Sequence, residues 1–356
     1  MRDYFMKDSP IRFSTFIDGD CVNDRDGEAI DGGILLPLTV EAPAGHEVTV
    51  NALPAAEAEP GRYTVSIPLR GYRNAVLAED KTDGTECRIN LFHMPKTMGR
   101  YRLSSDDNIL FLQDLTEKSE QYASIFDHPY LAVYKKAHDL YGAKVHLNLF
   151  YELNDEARSH FTARPSYFNL SMMTEKYKDE FRQNADWLKL AFHARAEYPD
   201  NPYAKGDAAT VTADCIAVLR EIVRFAGPEN ISDSTTVHFG SGNLDVVRAL
   251  RALGFRSLTG YFTLNSKGAP SVSYYCPADL VSHIDERDFW VDTEEDMIYG
   301  RIDKVLNLHT LERVKADVRA AIEHPHRGGF VSVMIHEQYF YPDYYHYLPD
   351  FEERVL

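Results

Sequence analysis

The stretch Tyr101-Arg-Leu-Ser-Ser-Asp-Asp-Asn-Ile-Leu-Phe-Leu112 reads as a short strand, Tyr101 to Leu103, running into the adjacent carboxylates Asp106 and Asp107, with the apolar run Ile109 to Leu112 directly behind. Two neighbouring carboxylates beside an apolar core each lose hydration and repel one another. They need compensation. A divalent cation on one, with the other left as a proton acceptor, supplies it; so does water, if both stand on an exposed turn. The fold class comes from the chain around this stretch, because from Pro95 onward strands and helices alternate.

The helical stretches are Tyr130 to Tyr141, closed by Gly142, then Thr174 to Asn184, Ala208 to Ala226, Asn243 to Leu253 and Leu308 to Glu323. Between them fall the strands Lys144 to Glu152, Leu188 to His193, Thr235 to Phe239, Arg256 to Phe262 and Gly329 to His336. Such alternation implies a parallel sheet, and the number of repeats favours an irregular α/β barrel over residues 97–356.

Upstream the texture differs. Ile34 to Val40, Glu47 to Asn51, Arg62 to Leu69, Asn74 to Ala78 and Cys87 to Phe92 are short runs with partial period-2 alternation, separated by Pro60-Gly61, Gly71 and Asp83-Gly84. Repeated strands at this spacing predict an immunoglobulin-like β-sandwich over residues 1–96. The segment from Val48 to Asp80 resembles the accessory sandwich modules found beside many bacterial carbohydrate enzymes. No catalytic grouping stands in it, so a spacer and a ligand-binding module are both open readings.

Composition bounds the function. At 356 residues the chain exceeds the usual size of a single core, in keeping with two domains. A net charge of −17 argues against nucleic acid and against an anionic membrane surface, both of which attract Lys and Arg. Cys21, Cys87, Cys215 and Cys276 show no CxxC spacing, so neither a disulfide framework nor a cysteine zinc site is expected. No apolar signal region or membrane-length run is present, which favours a cytoplasmic protein. The 22 tyrosines suit a sugar-binding cleft as well as ordinary cores and interfaces, and association into a homo-oligomer is compatible with them.

Three strands end on a histidine: His193, His238 and His336. In an α/β barrel these ends converge on one face, together with Asp106 and Asp107. The ordered set Ser104-Ser-Asp-Asp-Asn108, His193, His238-Phe-Gly-Ser-Gly-Asn243 and Met334-Ile-His336 resembles polysaccharide deacetylases of the NodB-homology type, from about Tyr101 to the C-terminus. The resemblance implies Asp106 as general base, Asp107 and His193 as metal ligands and His336 as general acid. It also implies a divalent metal, most simply Zn²⁺, and a carbohydrate substrate.

Two positions depart from the family pattern. The further ligand expected four residues after His193 is Glu197, followed by a segment containing Pro199 that disfavours helix. The third motif begins with His238 where the family has arginine, which offers His238 as the remaining ligand. Asp303 and Arg301 stand where the family places support for the base, and surface pairing is their plainer reading. Glu152 and Asn148 share a strand face with His146, suited to sugar hydroxyls or to a solvated side. Glu337 either orients His336 or faces solvent. The segment Tyr339 to Tyr347 is aromatic enough for a carbohydrate platform or a barrel cap. Two further readings stand beside the deacetylase: a glycan-binding pseudoenzyme that has lost its metal, and a glycosidase using two carboxylates and no cation.

Overall fold

The computed structural model describes residues 2–97, 99–327 and 329–356. It is a mixed α/β chain that divides into two compact units, neither continuous in sequence. The first unit comprises Met1–Arg100, His283–Tyr299 and Ile322–Phe330; the second comprises Tyr101–Ser282, Gly300–Ala321 and Val331–Leu356.

In the first unit, strand β1 (Gly33–Glu41) buries Ile34, Leu36, Leu38 and Val40 at every second position. That alternation makes one face apolar. Strands β2 (Val48–Val50), β3 (Arg62–Arg70), β4 (Arg73–Asp80) and β5 (Glu86–His93) come after it. β1 pairs antiparallel with β3 along its whole length, from Gly33 opposite Arg70 to Glu41 opposite Arg62. β4 lies between β5 and β2 in a second sheet, antiparallel to both. Ile67 and Leu69 from the first sheet and Val76, Ala78, Ile89 and Leu91 from the second belong to one core cluster. Each of the valine, leucine and isoleucine side chains contributes about 1.5–3 kcal/mol by leaving water. Gly84, at φ +80, closes the hairpin between β4 and β5 in a conformation that glycine adopts without strain. All four cysteines are buried, and none is in a disulfide among the described residues.

The second unit begins with β6 (Arg100–Asn108), which is longer than the sequence pattern suggested and contains the acidic pair. Next come α1 (Leu110–Glu117) and α2 (Pro129–Tyr141). Pro129 presets the first turn of α2, and Gly142 ends it in the left-handed conformation. β7 (Val145–Phe150) and β8 (Leu188–Ala194) are buried almost throughout, as strands covered on both faces must be. Amphipathic α3 (Ala208–Phe225) leads to β9 (Ser234–Thr235). Next are α4 (Leu244–Ala252), N-capped by Asn243, and β10 (Ser257–Gly260). Further along are β11 (Lys304–Val305), α5 (Leu311–Glu323) and β12 (Phe330–His336), and a short helix, Phe351–Val355, follows.

The main sheet has the order β8-β7-β6-β12-β11, with parallel pairing in each case where the register is described. β9 and β10 pair in parallel within a different, four-stranded sheet. Among the described residues this sheet path is open and does not close into a ring. Two expected elements are shorter than their sequence patterns. Only Lys178–Gln183 of the 174–184 stretch is helical, and the strand at Thr235 ends before Thr236, leaving His238 on the tight turn His238–Gly240. No helix among the described residues is long and apolar enough to cross a membrane.

Candidate metal centre

Adjacent residues on a regular strand point to opposite faces, so Asp106 and Asp107 could not both enter one cleft without a distortion. β6 supplies it. Ser105 lies opposite Leu147 and Asn108 opposite Leu149, three steps on one strand against two on the other. This bulge turns the chain at Asp107, whose φ is +64, and re-aims its side chain. Both carboxylates are buried, and both line a cavity of about 320 Å³.

Asp107 meets two histidines there. His193 Nε2 stands 3.0 Å from Asp107 Oδ1, His238 Nδ1 stands 3.1 Å from His193 Nε2, and His238 Nδ1 is 3.5 Å from the same Oδ1. The opposite nitrogens are tied to backbone carbonyls: His193 Nδ1 to Thr236 O at 2.5 Å, and His238 Nε2 to Glu197 O at 2.9 Å. A carbonyl only accepts, so each of those nitrogens carries the hydrogen. Both lone-pair nitrogens are thereby aimed at each other and at a carboxylate oxygen. Three lone pairs so placed repel unless a proton or a cation lies among them.

The separations suit a cation. Ligand atoms about 2.0–2.1 Å from a tetrahedral centre lie about 3.3 Å apart, close to the three distances here. Ring nitrogens held by carbonyls are also the usual way a protein orients histidine ligands. Without a cation, a proton plays that part. Burial alone would lower the His193 pKa, but the Asp106 and Asp107 carboxylates outweigh it and raise the value. Burial would likewise raise that of Asp107, yet His336, His193 and His238 hold it well below the usual carboxylate range.

Asp106 accepts from Asn148 Nδ2 at 2.6 Å, and Asn148 Oδ1 accepts from Thr235 Oγ1 at 3.2 Å. Asn148 is fully buried, so it orients the carboxylate and does not meet a sugar hydroxyl. Two residues before the first serine of β6's polar run, Arg102 is also buried. Burial pushes its guanidinium down to about 10, with Asp106 acting in the opposite direction. His336 Nδ1 donates to Asn307 Oδ1 at 2.9 Å, which leaves Nε2 facing the cavity, 3.9 Å from Asp107 Oδ2. Phe239, Tyr261, Tyr339 and Tyr344 add aromatic surface, and Val272, Ile302, Val305 and Met334 form an aliphatic wall.

Four sequence expectations change. Glu197 serves the cluster through its backbone carbonyl; it lines the cavity but does not belong to the three-residue group. Glu337 turns away from His336 and accepts the first N–H groups of α1. Arg301 pairs with Asp303 at 2.7 Å, and Asp303 accepts from Ser332 N; neither lines the cavity. Glu152 pairs with Arg195 at 3.3 Å beside a small crevice that Asp107 also lines. Asn307 and Gln338 escaped the sequence reading. Gln338 Nε2 donates to Asp107 Oδ2 at 2.8 Å, and the alternation Met334-x-His336-x-Gln338 was the available signal.

No family model and no curated protein matches this chain. Among solved structures, a Bacteroides fragilis protein described as "a putative alpha-galactosidase" is similar at 11% identity and a TM-score of 0.19. The alignment covers 73% of this chain and 58% of that one, and similarity at this level bears on neither fold nor activity.

Proposed function

We propose that the second unit is a metal-dependent hydrolase that removes acyl groups, acetyl first among them, from a carbohydrate or a related amide or ester. In this reading its strands form an irregular barrel of deacetylase type, and the first unit is an immunoglobulin-like accessory sandwich. A parallel bridge between Leu190 and Ile231, and the bond from Ile302 N to Gly260 O at 2.7 Å, support a curved arrangement of the two strand sets. The observation that carries the activity is the set of lone pairs on Asp107, His193 and His238, each ring fixed from behind by a carbonyl.

Those three residues would hold the cation, Zn²⁺ being the simplest match to two imidazoles and one carboxylate. When bound, it supplies a Lewis acid at that position. Asp106, oriented by Asn148, takes a proton from the attacking water. His336, its Nδ1 hydrogen committed to Asn307, passes a proton from Nε2 to the leaving amine or alkoxide. The cavity is of a size for one sugar unit, since small-ligand sites begin at about 300 Å³. Its tyrosines offer flat apolar faces with a hydroxyl at one end.

Elemental analysis of the purified protein beside Asp107→Ala and His193→Ala tests the reading. Near one equivalent of metal in the parent and none in either variant is expected, together with acetate release from acetylated sugars by the parent. A parent that neither holds metal nor takes up zinc, cobalt, nickel or manganese overturns it.

A further inference from the structure

Asp107 has a left-handed backbone at a non-glycine residue. That conformation costs about 1–2 kcal/mol and persists where neighbours over-determine it. The neighbours come from the end of β12. The fully buried Glu337 carboxylate accepts from the backbone N–H groups of Ile109, Leu110 and Phe111 at 2.6, 2.9 and 2.6 Å. These begin only two residues after Asp107, at the start of α1.

A helix usually finds such a partner locally, in an Asn, Asp, Ser or Thr at the cap. Here Ile109 occupies the cap and has no side-chain hydrogen bond to give. The cap has instead been moved more than two hundred residues along the chain, to the residue beside His336. One residue further on, Gln338 Nε2 holds Asp107 Oδ2, which leaves Oδ1 turned toward His193 and His238. Oδ1 and Oδ2 of one carboxylate are thus assigned different partners by contacts from distant parts of the chain.

We infer that Glu337 and Gln338 are positioning residues: they lock the bulge of β6 so that Asp107 presents one oxygen to the two histidines, and they fasten it to the strand that carries His336. The inference rests on the reading of Asp107 as a cation ligand. Its consequence is that the ligand set is formed before a cation arrives, which is how second contacts raise metal affinity.

Gln338→Ala and Glu337→Gln, compared with the parent, test it by Co²⁺ calorimetry, by the visible spectrum of the cobalt-loaded protein and by crystal structures without cation. Gln338→Ala removes one donor and leaves the α1 cap intact, so it folds as the parent does. It is expected to bind Co²⁺ about 10–100-fold more weakly, with shifted visible bands and with Asp107 turned away from the histidines. Glu337→Gln sets an NH₂ donor against N–H donors and is expected to do the same while also lowering the unfolding midpoint. A purely structural role would lower the midpoint alone. Unchanged affinity and spectrum, with Asp107 unmoved in both variants, overturns the inference. Should the parent take up no cobalt, the metal reading falls, and the cation-free structures still decide the positioning role: Asp107 displaced supports it, and Asp107 in place overturns it.

Discussion

Among the described residues, each unit contains one histidine–aspartate cluster whose ligand atoms lie within 4.8 Å of one another: His46, Asp80 and Asp83 in the first, Asp107, His193 and His238 in the second. Their chemistry differs. In the first, His46 Nδ1 donates to Asp80 Oδ2 at 2.7 Å, Asp80 Oδ1 accepts from Thr82 N, and Asp83 Oδ1 accepts from both Thr85 N and Thr85 Oγ1. Donors already meet these acceptors, through ordinary turn geometry. In the second, carbonyls hold the far ring nitrogens and acceptors face acceptors. Residue types alone do not tell the two clusters apart; the partner behind each imidazole does.

The largest effect that separates the two clusters is loss of cation. His193→Ala and Asp107→Ala are expected to abolish stoichiometric uptake, while His46→Ala and Asp83→Asn leave it unchanged; calorimetry with Zn²⁺ on the four variants is the check. Uptake lost in the His46 variant would move the site to the wrong unit.

Next is the neighbour of the ligand. Asp106→Asn should keep the metal and lower turnover about 10²–10⁴-fold, the usual weight of a general base. Equal losses of metal and turnover would make Asp106 a ligand instead.

Glu337→Ala removes the partner of three backbone donors and should destabilise the protein by about 3 kcal/mol, read from the denaturant midpoint. A change under about 0.5 kcal/mol would mean that water reaches α1 and the cap is dispensable.

The smallest effect is in pH dependence. Burial opposes ionisation of Asp80, but His46 and backbone donors hold its pKa below the ordinary value, so its contribution is present above the usual carboxylate range and is lost as pH falls through the depressed value. The second cluster has two limbs. Its Asp107 contribution is also lost on acidification, through a value held well below the usual range. The His193 contribution is complete below the usual histidine range and is lost as pH rises through the raised value. Unfolding curves of cation-free protein should show that alkaline loss, and saturating Zn²⁺ should remove it, since metal takes the proton's place. Asp80→Asn should weaken only the acid limb.

Much of the fold was legible in local pattern. The alternation in Ile34 to Val40 and Arg62 to Leu69 marked β1 and β3 to within a residue or two, because a half-buried strand repeats every second residue. Gly142 marked the end of α2 for an equally local reason, the cost of a left-handed turn at any other residue. The approach of His193 and His238 to Asp107 was expected from histidines at strand ends, although His238 reaches the cleft from the turn His238–Gly240 that follows β9. Two features were not readable. The bulge at Asp107 is imposed by pairing with β7, and nothing in Ser-Ser-Asp-Asp-Asn announces an extra residue. Glu337 looks in sequence like a companion of His336, yet the three backbone N–H groups it accepts lie 226 to 228 positions away.

What the sequence by itself determined are the strands and helices and the residue types brought to their ends, since hydrophobic period and turn chemistry act over a few residues. Only the tertiary structure decided which atom of each residue serves: the Glu197 carbonyl and not its carboxyl, Oδ1 of Asp107 for the histidines and Oδ2 for Gln338, Glu337 for a helix and not for its neighbour. Those choices depend on where distant donors and acceptors fall in a buried space, where an unmatched polar atom costs more than the local preference of any one side chain.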